Sequence, residues 1–466
     1  MRSFDLLIVG SGPAGMSAAI RAAKFGLSVI VVDEQPTPGG QIWRAIEANV
    51  LRRTADALGS AYCAGAEVVR AFRSSKAEYE PGTRVWQIER RESDGWDVFM
   101  SRAAIADRVR ASHVLLATGA QERPVPFPGW TLPGVMTVGA AQILQKSSDQ
   151  IPQQPVLIAG CGPLPLLYMT QLLQAGGKIA GWLDTTPAGA VRRGISHIGA
   201  AAPGWRDLLK GLLWSANLSR KGFPIVRHVN AVEALGIGRL EQISYSTVAG
   251  NAGTLDAELL LIHEGVVPSM HFTQSMGCRH RWNDEQKCFE PELDLWGESS
   301  VRGIYVAGDG ARIGGAQAAC TRGELAAIGI AASHGAFSAT HANELAAPLR
   351  GRLQKELSTR SLLDSVYQPR TAIFTPPDET IVCRCEEVTA SEIRSAARLG
   401  EPGPNQLKAL TRAGMGPCQG RQCGYTVANL IAVAQSRPVS EVGFQRVRPP
   451  LKPVTLAEIA AIDAPE

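Results

Sequence analysis

The sequence predicts an α/β fold with two nucleotide-binding units and a small helical domain near the carboxyl end. Two glycine-rich loops, each between an apolar segment rich in branched residues and a helix-forming segment, indicate the two units. Four cysteines in two close pairs indicate the third domain. The 466 residues, 45% of them hydrophobic, suffice for several domains with cores of their own.

The first glycine-rich loop follows a short apolar segment at the amino terminus. It reads Gly10-Ser11-Gly12-Pro13-Ala14-Gly15 and leads into a helix-forming segment. In such a Rossmann-like unit, the first glycine makes the tight turn, the second admits a pyrophosphate, and the third allows close helix–strand packing. A second apolar segment ends at Asp33-Glu34, about the ~20 residues downstream at which a ribose-binding acid is expected. Asp33, at the strand tip, is the preferred ribose ligand and Glu34 the alternative.

Three later segments favour FAD at this first site. Gly39-Gly40-Gln41 follows the acid, Thr118-Gly119 follows another apolar strand, and Gly308-Asp309-Gly310 precedes Gly314-Gly315-Ala316. Together they resemble the two-dinucleotide-domain flavoproteins of the FAD/NAD(P)-linked reductase type. That resemblance implies that Asp309 contacts the ribityl chain of the flavin and that the helix starting near Ala316 points its amino terminus at the ring. The predicted cofactor-binding residues are Gly10, Gly12, Pro13, Ala14, Gly15, Asp33, Glu34, Gly40, Gln41, Arg44, Thr118, Gly119, Gly308, Asp309, Gly315 and Ala316.

The second glycine-rich loop departs from the nucleotide-binding pattern. It reads Gly160-Cys161-Gly162-Pro163-Leu164-Pro165, with Pro165 in place of the third glycine. Proline removes an N–H group and changes how closely the helix packs. Asp184 ends the following strand, where a ribose ligand would lie. The sequence leaves open whether this site binds NAD(P), binds an adenine nucleotide, or is vestigial.

The cysteine pairs near the carboxyl end predict a metal or cluster site. They are Cys383-Arg384-Cys385 and Cys418-Gln419-Gly420-Arg421-Gln422-Cys423. Four thiolates are the ligand set of a [2Fe-2S] cluster. Zinc is the alternative, although its sites usually separate paired thiols by two to four residues; free thiols are a third possibility. The segment resembles the domain named after bacterioferritin-associated ferredoxin, in the variant "GMGPCQGxxC" of flavin dehydrogenases. Cys383, Cys385, Cys418 and Cys423 are therefore the predicted cluster ligands.

Charge and hydropathy limit the functional classes. A formal net charge of +4, with 47 basic and 43 acidic residues, does not favour nucleic-acid binding. The first residues are not expected to be a signal peptide, because glycines interrupt the apolar segment. No apolar run long enough to cross a membrane is present. A cytoplasmic location is expected, with peripheral contact to the inner membrane face or a quinone left open.

The whole chain resembles the A (α) subunits of heteromeric FAD-dependent amino-acid and opine dehydrogenases. This family includes octopine and nopaline oxidase A subunits, D-hydroxyproline dehydrogenase α subunits and the middle subunit of hydrogen cyanide synthase. The resemblance rests on five strings and the cysteines; the strings are Asp33–Arg44 ("DEQPTPGGQIWR"), Thr118–Thr137, His263–Pro268 ("HEGVVP"), Val306–Ala316 ("VAGDGARIGGA") and Arg448–Leu456 ("RPPLKPVTL").

The family implies that this chain relays electrons. A partner β subunit of the D-amino-acid-oxidase type, with its own FAD, would oxidise an amine. Electrons would pass through the FAD and [2Fe-2S] cluster of this chain to a quinone or another acceptor. A small ferredoxin-like γ subunit is a further candidate partner. No catalytic residues are predicted in this chain, since it shows neither paired carboxylates nor a nucleophile with a base. The alternative is a self-sufficient NAD(P)H-dependent reductase.

The predicted domain organisation follows from these motifs. The FAD-binding domain is discontinuous, and the remaining segments are each continuous. The predicted ranges are 1–145 and 270–345 for the FAD-binding domain, 146–269 for the NAD(P)-binding-like domain, 346–377 for a helical linker, 378–436 for the [2Fe-2S] domain and 437–466 for an extended tail.

Overall fold

The computed structural model describes residues 1–52, 54–92 and 94–462, which form three mixed α/β and helical units. The strands in chain order are β1 (Ser3–Val9), β2 (Val29–Asp33), β3 (Glu78–Pro81), β4 (Thr83–Arg90), β5 (Trp96–Arg102), β6 (Ile105–Leu116), β7 (Ala120–Glu122), β8 (Val135–Thr137), β9 (Val156–Gly160), β10 (Ile179–Asp184), β11 (Ile225–Arg227), β12 (Val229–Leu235), β13 (Gln242–Thr247), β14 (Ala252–Asp256), β15 (Leu260–His263), β16 (Val266–Pro268), β17 (His280–Asn283), β18 (Cys288–Pro291), β19 (Ile304–Val306), β20 (Ile381–Cys383) and β21 (Val388–Thr389).

The α-helices connect these strands and form most of the carboxyl-terminal unit. In chain order they are α1 (Pro13–Lys24), α2 (Ile46–Asn49), α3 (Thr54–Leu58), α4 (Ser60–Cys63), α5 (Gly65–Arg73), α6 (Val138–Ser148), α7 (Pro163–Gln174), α8 (Ala190–Gly194), α9 (Ile198–Ala201), α10 (Trp205–Ser219), α11 (His271–Ser275), α12 (Ala316–Ser333), α13 (Ala339–Glu356), α14 (Arg360–Val366), α15 (Ala390–Ala397), α16 (Pro404–Thr411), α17 (Gly424–Ala434), α18 (Val439–Val442) and α19 (Leu456–Ile462).

The first sheet brings together segments that are far apart in sequence. Its order is β3-β2-β1-β6-β5-β4, and β19 also pairs with β6. The pairs of β1 with β2, β1 with β6 and β6 with β19 are parallel. Strands β1 and β2 are rich in buried branched residues, as parallel strands covered on both faces require. Helices α1 and α12 pack together over one face, which places the first glycine loop beside the segment that follows β19.

The second sheet is parallel, with the order β11-β10-β9-β15-β8. Strand β8 pairs with β15, and α6 packs against α7. The segment 135–145 therefore belongs to the second unit, although it was expected in the first. The chain crosses between units earlier than predicted because β8 is only three residues long and resembles a loop in sequence.

The carboxyl-terminal unit packs α15, α16 and α17 around a small apolar core of its own. The predicted capping box is confirmed: the Glu392 backbone N–H donates to Thr389 Oγ1 at 3.3 Å, and the Thr389 N–H donates to Glu392 Oε2 at 2.8 Å. Residues 437–466 were expected to be extended. In the described part they include α18 and α19, and the extended segment between these helices lies against the first sheet.

Two helices occupy the predicted helical linker. Helix α13 begins ahead of it at Ala339, and α14 ends at Val366. Among the described residues, no helix is both long enough and apolar enough to cross a membrane.

Candidate functional site

The first glycine loop has the geometry of a phosphate-binding turn. Gly10 has a φ of +105°, and a Cβ at that position would lie 2.5 Å from the Ala117 carbonyl oxygen. A Cβ on Gly15 would lie 1.9 Å from the Gly10 carbonyl oxygen. Helix α1 begins at Pro13 without a side-chain cap and without an acid in its first turn. Its amino-terminal N–H groups and dipole are therefore available to an anion.

The other predicted FAD segments converge on this loop. A Cβ on Gly40 would lie 2.9 Å from Gly12 Cα, so the "GGQ" turn touches the glycine loop. A Cβ on Gly308 would lie 2.9 Å from Ala14 Cβ, and one on Gly310 would lie 3.2 Å from the Gly119 carbonyl oxygen. Three segments distant in sequence thus surround the glycine loop and the amino terminus of α1.

Asp33 holds the glycine loop in place. Its Oδ2 accepts hydrogen bonds from the Ser11 backbone N–H at 2.6 Å and the Ser11 hydroxyl at 2.7 Å, while its Oδ1 accepts one from Gln35 N–H at 2.8 Å. Glu34, the alternative acid, pairs instead with Lys452 Nζ at 2.8 Å. Ribose binding by Asp33 stays a prediction. The hydrogen bonds from Asp33 to Ser11 in the glycine loop are an additional role that the sequence did not indicate.

Asp309 occupies the turn before α12. Its Oδ1 accepts hydrogen bonds from Gly314 N–H at 2.8 Å and Gly315 N–H at 3.0 Å. Helix α12 starts at Ala316, as predicted, with Gly315 as its N-cap and no acid in the first turn. Because only one carboxylate oxygen has these contacts, the other can still accept a hydroxyl group.

Two buried cations lie beside the "GGQ" turn. Arg44 donates to Gln35 Oε1 and, at 3.1 Å, to Gln41 Oε1, and its buried Nε has no hydrogen-bond partner within the described ranges. Lys146 on α6 donates to the Gln41 carbonyl at 3.2 Å and to Gln142 Oε1 at 2.9 Å. Burial, with a smaller effect from Arg44, lowers the pKa of Lys146 to about 7. A buried donor without an acceptor is unusual in a folded protein, so this corner fits an anionic ligand.

Lys146 was not predicted from the sequence. It lies on the same helix as Gln142 and Gln145, and all three are buried. Polar residues at i, i+3 and i+4 on a helix indicate a shared face. That pattern does not distinguish a solvated face from a buried one, so it gave no usable signal.

The second glycine loop is covered by residues of the same chain. Asp184 Oδ1 accepts hydrogen bonds from Thr186 N–H at 2.9 Å and the Thr186 hydroxyl at 2.6 Å. Burial raises the pKa of Tyr367 to about 12, and the nearby Cys161 and Asp184 add to the shift. Tyr367 therefore lies close to the second glycine loop and to the end of β10. Arg370 pairs with buried Glu264 at 2.8 Å nearby. Pro165, which replaces the third glycine, is buried at the start of α7.

The four cysteines lie close together as two pairs. Cys383 and Cys423 lie close enough for each sulfur to shift the pKa of the other, and Cys385 lies close to Cys418. Cys383 also accepts backbone N–H bonds from Gly414 and two residues near it in sequence; together these contacts lower its pKa to about 6. In the described part of the chain, no group of three or more His, Cys, Asp or Glu side chains is arranged to hold a single metal ion.

The loop between Cys418 and Cys423, which we name the cysteine loop, contacts the unit that carries the first glycine loop. We name that unit the flavin-side unit, after the cofactor predicted for it. Gln121, two residues after Gly119, donates from its side chain to the Arg421 carbonyl at 3.0 Å. His271 Nε2 donates to the Gln419 carbonyl at 3.1 Å. Burial, and to a smaller extent the charge of Arg421, lowers the pKa of His271 to about 4, so the ring is neutral at pH 7. Gln121 and His271 were missed because only the fold brings them to the cysteines.

The carboxyl-terminal tail also contacts the cysteine loop. The Leu451 N–H donates to the Trp86 carbonyl at 2.7 Å, while its own carbonyl accepts from Arg421 at 3.1 Å. Gln419 Nε2 donates to the Pro450 carbonyl at 2.7 Å. The extended part of the tail thus links the first sheet to the loop between Cys418 and Cys423.

Two family models match separate parts of the chain. Residues 4–184 match the pyridine nucleotide-disulphide oxidoreductase family, and residues 378–463 match the sarcosine oxidase A3 domain. The first match covers the glycine loop and the second covers all four cysteines. The amino-terminal unit therefore has the Rossmann-type FAD-binding fold of that oxidoreductase family.

Relatives and solved structures match nearly the whole chain. It is 41% identical to the A subunit of opine oxidase from Rhizobium meliloti, with 100% of each chain covered. It is 33% identical to hydrogen cyanide synthase subunit HcnB of Pseudomonas aeruginosa, with 96% of each chain covered. The crystal structure of L-proline dehydrogenase from P. horikoshii superposes with a TM-score of 0.72 at 19% identity, covering 98% of this chain and 79% of the other, which shows a shared fold. The chain therefore belongs to the family of opine oxidase A subunits, which are FAD-dependent oxidoreductases.

Proposed function

We propose that this chain is the electron-transferring subunit of a heteromeric amine dehydrogenase and carries both FAD and a [2Fe-2S] cluster. The single observation that carries the proposal is the direct packing of the cysteine loop on the flavin-side unit, through Gln121 and Arg421. When bound, FAD takes up or releases two electrons and the cluster carries one at a time. A chain that places both sites side by side suits a relay between centres.

The residues around the first glycine loop fit FAD. The uncapped start of α1 and the unpartnered Nε of Arg44 both suit the charge of a pyrophosphate. Gly308 and Asp309 come from a segment distant in sequence and meet α1 at Ala14. We assign Asp309 to the ribityl chain, since it lies next to the start of α12 and only one of its carboxylate oxygens accepts the N–H groups of Gly314 and Gly315.

The two thiol pairs fit a two-iron cluster better than one zinc ion. A tetrahedral zinc site needs four donors around a single point, whereas a [2Fe-2S] cluster takes two thiolates at each iron. The backbone N–H groups that point at Cys383 resemble the sulfur hydrogen bonds that tune cluster potentials. Cys423 occupies the N-cap position of α17, and the dipole at this helix amino terminus favours negative charge on the sulfurs.

The second glycine loop gives less support to the alternative, a self-sufficient NAD(P)H-dependent reductase. Tyr367 and Arg370 lie over the end of the second sheet, where a nicotinamide nucleotide would have to bind. An adenine nucleotide at this position would meet the same obstacles, so we assign no ligand to it.

The substrate site is proposed to lie on another chain. The relatives are named as subunits of opine oxidase, hydrogen cyanide synthase and sarcosine oxidase. We propose an FAD-dependent β subunit of the D-amino-acid-oxidase type as the partner that oxidises the amine; the second candidate partner is a small ferredoxin-like γ subunit. Electrons then leave this chain for a quinone or another external acceptor.

Serine variants of the cysteines test the cluster. Cys383→Ser and Cys418→Ser should each lower the iron and labile sulfide content and the electron paramagnetic resonance signal of the dithionite-reduced protein. The matched control is Cys278→Ser, since Cys278 is a buried cysteine whose thiol donates to Ser299 Oγ at 3.3 Å, away from the cluster loops. Undiminished iron in the first two variants would refute the ligand assignment.

A further inference from the structure

Helix α10 has its apolar stripe on the solvent side. Trp205, Leu209, Leu212 and Leu213 recur at the i, i+4, i+7 and i+8 spacing that places residues on one helix face. In a surface helix this stripe normally faces the core. Here each of the four side chains is at least 45% exposed, while Leu218 on the opposite face is buried in the core of the second unit.

A second exposed apolar row comes immediately before this helix in the chain. Val191, Ile195 and Ile198 follow one another at helical spacing through α8 and the short helical turns after it, and each is more than half exposed. Single exposed apolar residues are ordinary, but a contiguous group marks an interaction surface. We name the seven residues of these two rows the apolar face.

The charges around the apolar face are mostly positive. Residues 190–221 contain six Lys or Arg residues and one acid, a surplus of five, which exceeds the +4 of the whole chain. On α10 itself, Arg206 lies against the Trp205 ring at 5.6 Å and Lys210 against the Trp214 ring at 4.9 Å. The Arg206 charge therefore lies at the exposed stripe, whereas Lys210 lies beside Trp214, which packs partly buried against the core of the second unit.

We infer that the apolar face docks on a membrane surface that contains anionic lipid. An interfacial helix combines Leu and Trp on one side with Lys and Arg at its polar edge. The cations attract anionic headgroups, at about 1 kcal/mol for each Lys or Arg near the surface. A protein partner is the competing occupant of such a face, and the experiment below distinguishes it from a membrane surface. This inference goes beyond the proposed function and does not depend on it.

Vesicle co-sedimentation of the full-length protein tests the inference, both for the chain alone and for its complex with partner subunits. We expect binding to vesicles of phosphatidylcholine with phosphatidylglycerol, weaker binding to phosphatidylcholine alone, and release by added salt. The variant Leu209→Gln/Leu212→Gln/Leu213→Gln should lower the partition coefficient on the order of tenfold or more. Arg206→Gln/Lys210→Gln should lower binding only to the anionic vesicles.

The matched control is Ile237→Gln/Val248→Gln/Leu295→Gln, which removes three apolar side chains that are at least 60% exposed elsewhere on the molecule. Its vesicle binding should equal that of the wild type. Unfolding curves for all variants separate a folding defect from loss of binding. Absent vesicle binding, or equal binding by the leucine variant and the wild type, would overturn the inference. So would loss of co-purification of a partner subunit in the leucine variant, since the face would then be a protein interface.

Discussion

Alanine at Gly12 tests the first nucleotide loop without disturbing the protein around it. A Cβ at Gly12 would meet one protein atom within 4 Å, Gly40 Cα at 3.8 Å, and the φ of −73° suits any residue. The apoprotein should therefore keep its stability to within about 0.5 kcal/mol. If a pyrophosphate lies against this backbone, however, the added methyl group occupies its space.

The expected loss of affinity follows from overpacking. An extra methyl group in a filled site costs about 1–3 kcal/mol, which raises the dissociation constant of FAD by roughly 5- to 150-fold. Gly15→Ala provides the contrast, because its Cβ would lie 1.9 Å from the Gly10 carbonyl oxygen. That variant should lose stability even without FAD, by about 1–3 kcal/mol or more.

The assay is a pair of measurements on each variant: urea unfolding of the apoprotein and fluorescence titration with FAD. Gly351→Ala in α13 is the control, since no atom lies within 4 Å of its added Cβ; it should bind FAD normally and gain about 0.5–1 kcal/mol. FAD affinity of wild-type strength in Gly12→Ala would refute the placement of the pyrophosphate. Lost apoprotein stability in that variant would refute the stated packing.

Three further predictions address the neighbouring contacts. Because the pKa of Lys146 is lowered to about 7 in the folded protein, the unfolded chain binds more protons between about pH 7 and its ordinary value near 10. The free energy of unfolding of the apoprotein should therefore rise with pH in that window, compared with that of Lys146→Met. The same pH dependence for both proteins in urea unfolding would contradict the lowered pKa. Gln121→Leu should keep its iron but slow electron transfer between flavin and cluster in stopped-flow reduction; an unchanged rate would show that this contact is not needed. Leu451→Ala, which removes a buried side chain, should lower the free energy of unfolding by about 2–5 kcal/mol. Lys452→Ala, which removes the ion pair with Glu34, should lower it by less than about 1 kcal/mol. Similar losses in both variants would contradict the packing of the tail.

The sequence predicted features that depend on local signals. Gly10 and Gly15 are recognisable because a turn with positive φ and a close helix–strand approach both exclude a side chain. The Thr389–Glu392 capping box and the start of α12 at Ala316 are likewise contained in a few residues. The parallel strand pairs of the first and second sheets follow from buried branched strands that alternate with helices.

Features that depend on distant contacts were not predictable in the same way. Lys146 is buried only because α6 packs beside the "GGQ" turn, and Gln121 meets Arg421 only in the fold. Strand β8 carries too few residues to show a pattern, so the crossover between units was placed too late. The tail was expected to be extended because of its prolines, and its two short helices lie outside that proline-rich segment.

Anaerobic reduction tests the central claim most directly. The chain is purified alone and with the products of neighbouring genes, and flavin absorbance is followed after addition of NAD(P)H or of amines such as D-hydroxyproline, proline, octopine and glycine. An amine should bleach the flavin of this chain and reduce its cluster only in the complex. Rapid bleaching of the isolated chain by NAD(P)H would contradict it.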